Sequence, residues 1–179
     1  MKFTETRLAG AYLVELEPDP DQRGFFAHTW SRSEFAAHGL DPEWSECAIS
    51  VNHLCGTLRG LHYQVAPFGE TKLVRCTAGG IYDVIVDLRP DSPTRGAWQA
   101  FELTAANRLL VYVPKGFAHG FQTLADNTEV QYHLTGRYAP SHASGIRWDD
   151  PALGVDWPPV SQRIMSSRDR QLPVMEAVK

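Results

Sequence analysis

Three short segments of the chain carry side chains that could perform proton-transfer chemistry. Residues 59–64 have the sequence RGLHYQ, residues 72–75 KLVR and residues 114–121 PKGFAHGF. The segments are short and β-like, so an all-β domain could bring their histidines and cations around one cavity. A base beside fixed cations is what a carbon-acid reaction on an anionic substrate requires.

His62 is the candidate base of this set. It lies on a predicted strand, where Gly60 permits a bulge that would turn Arg59 towards the same side. The alternative interpretation of His62 is a hydrogen-bonded histidine in the core. An arginine three residues before it and Lys72 ten residues after it favour a functional role.

Three further side chains allow both a structural and a functional interpretation. Lys72 lies among apolar residues, where an unpaired ammonium would be costly to bury, so it could also be a surface lysine or a partner of Asp83. Tyr132 alternates with apolar residues, as does a core tyrosine whose hydroxyl reaches the edge. Asp169, in the sequence SSRDR, would by itself be taken for a solvated loop carboxylate.

Other chemistries find less support in the sequence. A zinc or iron site would need His62, His119 and His133 with a carboxylate from scattered strands, because no histidine pair has metal-ligand spacing. The chain has no GxGxxG motif, no phosphate-binding Gly-Lys-Ser/Thr loop and no nucleophile elbow. Nucleotide-dependent redox, ATP-dependent and covalent hydrolase chemistry are therefore unsupported.

The composition indicates a globular protein of one domain. Of 179 residues, 43% are hydrophobic and 21% charged, and the net charge of -4 argues against non-specific nucleic-acid binding. Cys47, Cys55 and Cys76 form no CxxC pair, which suits a reducing compartment. The N-terminus is too polar for a signal peptide and no apolar run suffices for a membrane span, so we expect a cytoplasmic protein.

Short strand-like segments separated by turn residues predict an all-β fold. One short helix is predicted at residues 32–38, with Ser31 and Glu34 at capping-box spacing and Gly39 as its stop. After Tyr138 the chain is predicted to be largely irregular and attached to the body through three apolar side chains, Trp148, Trp157 and Ile164. The predicted strands are 11–16, 24–30, 46–52, 57–63, 72–76, 80–88, 97–103, 109–113, 119–124 and 128–134.

An ordered series of motifs closely resembles the dTDP-4-dehydrorhamnose 3,5-epimerase family. The resemblance runs from about residue 6 to Pro173, which is nearly the whole chain. The motifs are the segments 21–26, 59–64, 72–75, 83–89, 92–94 and 114–121, Tyr132, and the segments 138–140, 148–151, 157–158 and 166–169.

This resemblance implies a cupin-type jelly roll, a β-sandwich or barrel with a few short helices. It implies one domain over residues 1–179, with a core at about 6–135 and an irregular segment 136–179 packed on it. It further implies a homodimer that exchanges strands, no metal and no cofactor. The implied reaction inverts C3, C5 or both in a nucleotide-diphosphate-linked 4-keto-6-deoxyhexose, by acid–base transfer through an enolate.

The resemblance also assigns roles by position. His62 would be the base, Asp169 the carboxylate that orients it, Lys72 the oxyanion-stabilising cation, and Tyr132 the acid on the opposite ring face. Substrate-binding positions of the family correspond to Arg23, Phe26, Arg59, Gln64, His119, Tyr138 and Arg168, the last of these in place of the usual lysine.

Four departures from the family pattern concern substrate contacts. They leave open a CDP- or GDP-linked sugar and epimerisation at one carbon only. A non-catalytic cupin that binds a sugar nucleotide and a metal-dependent cupin oxygenase or isomerase are the alternatives from other classes. The departing residues are His28, Cys47, Ile49 and Ala143.

Overall fold

The alternating segments of the sequence form two antiparallel sheets that pack face to face. The computed structural model describes residues 1–41 and 43–175. Within this part of the chain nearly all regular structure is β, so the predicted all-β jelly-roll sandwich with a few short helices is confirmed. No helix in the described ranges is long and apolar enough to cross a membrane.

The elements of the described residues are numbered in chain order. The strands are β1 (Lys2–Glu5), β2 (Tyr12–Glu15), β3 (Asp19–Asp21), β4 (Gly24–Phe26), β5 (Glu46–Asn52), β6 (Leu58–Gln64), β7 (Lys72–Ala78), β8 (Gly80–Asp87), β9 (Trp98–Thr104), β10 (Leu110–Val113), β11 (Phe117–Thr123), β12 (Thr128–Leu134) and β13 (Ala143–Gly145). The helices are α1 (Arg32–Ala37) and α2 (Ser167–Arg170).

One sheet has six strands in the order β1-β2-β10-β7-β12-β5, and the other has five in the order β13-β6-β11-β8-β9. Strands β3 and β4 form a separate two-stranded hairpin. Since neighbours such as β2 and β10 are far apart in sequence, long connections cross between the sheets, as in a jelly roll.

Three apolar clusters among the described residues hold the fold together, one of them formed by Phe35 of α1 with Leu73 and Leu110 on the outer face of the six-stranded sheet. Between the sheets, Val74 and Val130 of the six-stranded sheet pack with Ile85 and Phe121 of the five-stranded sheet. On the outer face of the five-stranded sheet, strand residues such as Val84 and Val86 are covered by C-terminal side chains, among them Ile146, Leu153 and Trp157. The segment after Tyr138 is therefore attached by burial of apolar surface.

Strand β8 contributes side chains to two apolar clusters, one on each face of the strand. The sequence predicts one apolar face and one mixed face, and the structure places Val84 and Val86 on the first and Ile81, Asp83 and Ile85 on the second. The mixed face is turned between the sheets, and both faces are buried because the C-terminal segment covers the other one.

The predictions for β5 and β12 match the observed bounds, whereas β1, β3, β13 and α2 were not predicted. The strand predicted at 24–30 ends at Phe26. β3 and β13 have the sequences DPD and ASG, which carry no apolar alternation, so pairing with β4 and β6 rather than local propensity defines them.

Helix α1 begins as predicted. The Ser31 hydroxyl accepts a hydrogen bond from the Glu34 N–H at 3.5 Å, and Gly39 has the positive φ of 69° that ends a helix. The Glu34 carboxylate instead binds the N-terminal ammonium of Met1 at 2.6 Å, so only half of the capping box forms.

Asp87 is the centre of a buried polar network at the end of β8. Its carboxylate accepts hydrogen bonds from Arg89 Nε at 2.9 Å and from Thr94 Oγ1 at 2.7 Å, and it also contacts the Ser92 hydroxyl. Burial alone would raise the pKa of Asp87, but the hydrogen bonds from Arg89, Ser92 and Thr94 outweigh it and lower the pKa to about 2.

We expect Asp87→Asn to lower the free energy of unfolding by roughly 2–3 kcal/mol at neutral pH, since hydrogen bonds to a buried charge are lost. The pKa of Asp87 is lower in the folded protein than the ordinary 3.8. The contribution of Asp87 to the free energy of unfolding is therefore complete above about pH 4 and is lost as the pH falls towards 2. Urea unfolding between pH 2 and 7 measures both effects. Asp91→Asn, at an exposed neighbour, is the control; an Asp87→Asn variant as stable as this control would contradict the assignment.

Candidate active site

A cavity of about 660 Å³ is lined by residues of both sheets. Strands of both sheets and the segment containing α2 contribute to its wall, so its polar side chains come from distant parts of the sequence. The polar and charged residues that line it are Ser50, Thr57, Arg59, His62, Glu70, Lys72, His119, Tyr132, Tyr138, Ser166, Arg168 and Asp169.

A bulge in β6 places Arg59 and His62 on the same cavity wall. In the pairing of β6 with β11, His62 lies opposite His119 and Arg59 opposite Phe121, so β6 has one residue more than β11 between these pairs. Gly60 has a φ of 124°, and a Cβ there would lie 2.5 Å from Gly120 Cα. Only glycine fits this close approach, and the predicted bulge that turns Arg59 towards His62 is confirmed.

His62 is oriented by Asp169 of α2. Its Nε2 lies 2.8 Å from Asp169 Oδ1, and Asp169 Oδ2 accepts the Gly60 N–H at 3.3 Å. The Asp169 side chain is 93% buried, so the interpretation as a solvated loop carboxylate is wrong. The hydroxyl of Ser166, which caps α2, accepts a hydrogen bond from the Asp169 N–H at 3.0 Å and so fixes this turn.

The protonation of this pair follows from its surroundings. Burial would raise the pKa of Asp169, but the hydrogen bond and charge of His62, with bonds from Gly60 and Ser166, hold it below its ordinary value. An ionised carboxylate can only accept, so His62 Nε2 carries a hydrogen. In the neutral imidazole Nδ1 then has the free lone pair, and no described residue hydrogen-bonds it.

A second histidine–carboxylate pair joins His119, which lines the cavity, to Asp83, which is fully buried. His119 Nε2 and Asp83 Oδ1 are 2.7 Å apart, and both side chains are buried. The ring of Tyr132 packs edge-on against His119, with ring centroids 6.1 Å apart. Burial, and then the charge of Asp83, raise the pKa of Tyr132 against a smaller opposing effect of Arg59, so its hydroxyl keeps its proton well above neutral pH.

Lys72 is buried in the cavity wall with 8% of its surface exposed. Its Nζ lies 3.3 Å from Glu70 Oε1, and the Glu70 side chain is also nearly buried. Both structural interpretations of Lys72, as a surface lysine or as the partner of Asp83, are therefore wrong, because Asp83 binds His119 and Glu70 compensates the buried ammonium.

The mouth of the cavity carries two arginines and an aromatic ring. Arg59 is held by Asn52, whose Oδ1 accepts from Arg59 Nε at 2.8 Å. The Tyr138 ring is 57% exposed, and its hydroxyl accepts a hydrogen bond from Arg168 Nη1 at 3.2 Å. This end can therefore accept an anionic group beside a flat ring.

Several predicted substrate contacts lie away from this cavity. Arg23, Phe26 and His28 belong to the β3–β4 hairpin and its continuation; Arg23 pairs with Asp21 and Phe26 is 66% exposed. Cys47 and Ile49 alternate with the cavity-facing residues of β5 and point from the opposite sheet face, where Gln131 Nε2 contacts Cys47 Sγ at 3.7 Å.

The remaining departure, Ala143, lines a side chamber of about 210 Å³ that adjoins the main cavity. Gln64 also lines this chamber, but its amide is hydrogen-bonded to other parts of the chain. The chamber shares His62, Lys72 and Arg168 with the main cavity, so it extends the same site.

The three histidines considered as metal ligands do not converge. His62 and His119 each bind their own carboxylate, whereas His133 lies on the opposite face of β12, with its ring centroid 6.0 Å from that of Trp44. Within residues 1–41 and 43–175, no group of three or more His, Cys, Asp or Glu side chains has the geometry to hold a metal ion.

Sequence reasoning missed Glu70 and Asn52 and misassigned Asp83. Glu70 precedes Lys72 by two residues, a spacing that places both on one face of an extended chain and could have indicated an ion pair. Asn52 and Asp83 carry no such local signal, because their partners are brought by the bulge of β6 and the pairing of β8 with β11.

The fold and cavity define a jelly-roll protein with acid–base groups gathered in one cavity. The family model described as dTDP-4-dehydrorhamnose 3,5-epimerase matches residues 5–177, and the chain belongs to this family. The dTDP-4-dehydrorhamnose 3,5-epimerase of Methanothermobacter thermautotrophicus is 43% identical over 94% of this chain and 91% of its own length.

Solved structures agree with this assignment. A dTDP-4-dehydrorhamnose 3,5-epimerase from Bacillus anthracis, with TDP and pyrophosphate bound, superposes with a TM-score of 0.93 at 41% identity, over 97% of this chain and 99% of that one. A 3'-monoepimerase from Streptomyces bikiniensis, in complex with dTDP-quinovose, has a TM-score of 0.87 at 31% identity, over 96% of this chain and 86% of that one.

Proposed function

We propose that this protein inverts C3 and C5 of a dTDP-linked 4-keto-6-deoxyhexose, as the names of its relatives state for them. The observation that carries the proposal is the convergence of His62, Lys72 and Tyr132 on one cavity, with Asp169 behind the histidine. Mere binding of a sugar nucleotide would not require a base and an acid together, so this convergence favours catalysis over the non-catalytic alternative.

The reaction would begin with His62. The C4 ketone acidifies the hydrogens at C3 and C5, since the electron pair left by the proton delocalises onto oxygen. Nδ1 of His62 takes that proton, and the imidazolium formed is stabilised by the Asp169 carboxylate 2.8 Å from Nε2. The C–H electron pair becomes the enolate, with its negative charge on the C4 oxygen.

Lys72 would stabilise that oxygen. Lys72 is 8% exposed and paired with Glu70, so its ammonium acts in a site with little water, where an electrostatic interaction is strong. No reorganisation of solvent is then needed as the charge develops.

Tyr132 would return a proton to carbon from the opposite ring face. A phenol whose pKa is raised by burial and by Asp83 is a proton donor at neutral pH. Each inversion transfers one proton to His62 and removes one from Tyr132, and exchange with solvent restores both groups. Solvent hydrogen thereby enters at the inverted carbon.

The mouth of the cavity would bind the nucleotide diphosphate. Arg59 and Arg168 supply the guanidinium groups that suit phosphate oxygens, His119 lines the adjoining wall, and the exposed ring of Tyr138 offers a face for the nucleotide base.

A homodimer would supply the contacts that one chain lacks. Arg23 and Phe26 lie on the exposed hairpin outside their own cavity, and Ile49 and Val51 expose apolar surface on the edge strand β5. We propose that this face pairs with a second copy, so that the hairpin of one subunit approaches the cavity of the other.

The expected result is a mass twice the 20.0 kDa of the chain in sedimentation equilibrium at micromolar concentration. Phe26→Asp together with Ile49→Asp should shift the equilibrium towards monomer without unfolding the sandwich, because both side chains are exposed in the single chain. A monomeric parent protein would contradict the proposed assembly.

Solvent exchange tests the reaction directly. The protein is incubated with dTDP-4-keto-6-deoxyglucose in heavy water, and C3 and C5 are followed by NMR. Deuterium at both carbons is expected. Deuterium at one carbon would assign a single epimerase, which the likeness to a 3'-monoepimerase makes the second candidate. The absence of exchange with dTDP-, CDP- and GDP-linked substrates would refute catalysis.

A further inference from the structure

The side-chain amide of Gln64 links two loops that carry different parts of the candidate site. Gln64 ends β6, two residues after His62, and is 5% exposed. Its Oε1 accepts the Ala139 N–H at 2.7 Å, and its Nε2 lies 3.1 Å from the Arg137 carbonyl oxygen and 3.0 Å from Glu70 Oε2. The Phe68 carbonyl oxygen, 3.2 Å from Nε2, is a third acceptor.

One end of this linkage is the backbone around Tyr138. The Arg137 carbonyl and the Ala139 N–H belong to the two peptide groups that adjoin Tyr138, so Gln64 bonds the chain on both sides of this residue. The Tyr138 ring itself is 57% exposed and contacts Arg168 only through its hydroxyl hydrogen bond. The position of the ring therefore depends on its backbone.

The other end is the ion pair of Lys72. Glu70 uses Oε1 for Lys72 Nζ, at 3.3 Å, and Oε2 for Gln64 Nε2. The side chains of Lys72 and Glu70 are 10% and 12% exposed, so water screens this pair little. Gln64 thus holds the carboxylate that in turn holds the ammonium.

We propose that Gln64, acting through Glu70 and through the backbone of Tyr138, is a positioning residue that fixes the distance between the two ends of the substrate site. The inference rests on the proposed function, in which the nucleotide base stacks on Tyr138 and the enolate oxygen lies next to the Lys72 ammonium. Binding energy at the nucleotide accelerates the chemistry at the sugar only if this distance is fixed.

The hydrogen-bond inventory supports a positioning role over direct contact with substrate. An amide nitrogen has two hydrogens, and Gln64 Nε2 already has three acceptors within 3.2 Å. A substrate oxygen that bound this nitrogen would displace one of them and leave a buried acceptor without its donor, which is unfavourable.

The first test is Gln64→Leu, which keeps the approximate size and removes both amide N–H donors and the Oε1 acceptor. We expect kcat to fall roughly 10- to 100-fold, the range that follows from misplacing reactive groups by about 1 Å, and the Kd for dTDP to rise. Gln99→Leu is the matched control, because Gln99 lies on β9 outside the cavity, where its Oε1 accepts the Arg7 N–H at 3.0 Å. It should leave kcat and Kd unchanged.

Two further variants separate positioning from general stability. In a Tyr138→Ala background, Gln64→Leu should weaken dTDP binding no further, because the residue it positions is gone. Gln64→Asn keeps the amide but shortens the side chain by one methylene, so it can no longer reach both Glu70 and the backbone around Tyr138, and kcat should fall as in Gln64→Leu. Gln64→Asn keeps the test valid even if Gln64→Leu does not fold.

The outcomes distinguish this inference from the proposed function. A parent protein that exchanges deuterium, with parent-like kcat and dTDP affinity in Gln64→Leu, would overturn the inference alone. Additive losses of dTDP affinity with Tyr138→Ala, or parent-like kcat in Gln64→Asn, would also overturn it. A parent protein without exchange would overturn the proposed function, and isothermal titration with dTDP would still decide whether Gln64 and Tyr138 are coupled.

Discussion

Replacing His62 by alanine is expected to abolish deuterium incorporation at both C3 and C5. His62 Nδ1 is the free imidazole nitrogen in a cavity that also holds an oxyanion cation, so removing it removes the base for both carbons. A general base contributes roughly 10²- to 10⁴-fold, so a loss of about 10³-fold in kcat is expected. NMR in heavy water measures exchange and inversion together.

The control for this variant is His53→Ala. His53 is exposed and lies outside the cavity, so its loss should leave exchange at the parent rate. His62→Ala should also retain dTDP affinity within a few-fold, since the base lies at the sugar end. Exchange at one carbon in His62→Ala would mean that a different group removes that proton, and Glu70, which lines the same cavity, would be the next residue to test.

Replacing Tyr132 by phenylalanine is expected to separate exchange from inversion. The variant keeps the ring that packs against His119 and removes only the hydroxyl whose pKa is raised by burial and by Asp83. His62 can still remove a proton and return a deuteron to the same face, so exchange continues while inversion falls roughly 10²-fold. NMR distinguishes the two, because exchange without inversion leaves the starting configuration.

Tyr82→Phe is the matched control for the phenol. Tyr82 lies on the face of β8 opposite Asp83 and packs against Trp157, away from the cavity. It should invert both carbons at the parent rate. If Tyr132→Phe also inverts C5 at the parent rate, Tyr132 is not the acid for that carbon.

Local patterns predicted much of the sandwich. β5 and β12 were predicted with their observed bounds, and α1 with its Ser31 cap, because alternation and capping are properties of neighbouring residues. The bulge at Gly60 was also predictable, since a glycine inside a strand often marks such an irregularity. The missed strands β3 and β13 lack that alternation and exist only because a partner strand is present.

The partners of the reactive residues were beyond local patterns. Asp169 and His62 form a hydrogen bond although they are 107 residues apart in the sequence, and His119 and Asp83 are 36 residues apart. These hydrogen bonds depend on strand register, on the packing of the C-terminal segment and on a four-residue helix that no hydrophobic periodicity indicates. The ordered motifs identified the family and the types of the reactive residues, because these depend on which side chains are present and not on how distant strands pair.

The sequence by itself thus determined an all-β chain with a histidine and an arginine on one side of a bulged strand, since each of these features involves residues close along the chain. Only the tertiary structure decided that Glu70 rather than Asp83 compensates Lys72, that Asp169 is buried behind His62, and that the hairpin with Arg23 lies outside its own cavity. The physical reason is that alternation fixes which face a side chain occupies, whereas its partner depends on how distant strands pair and pack.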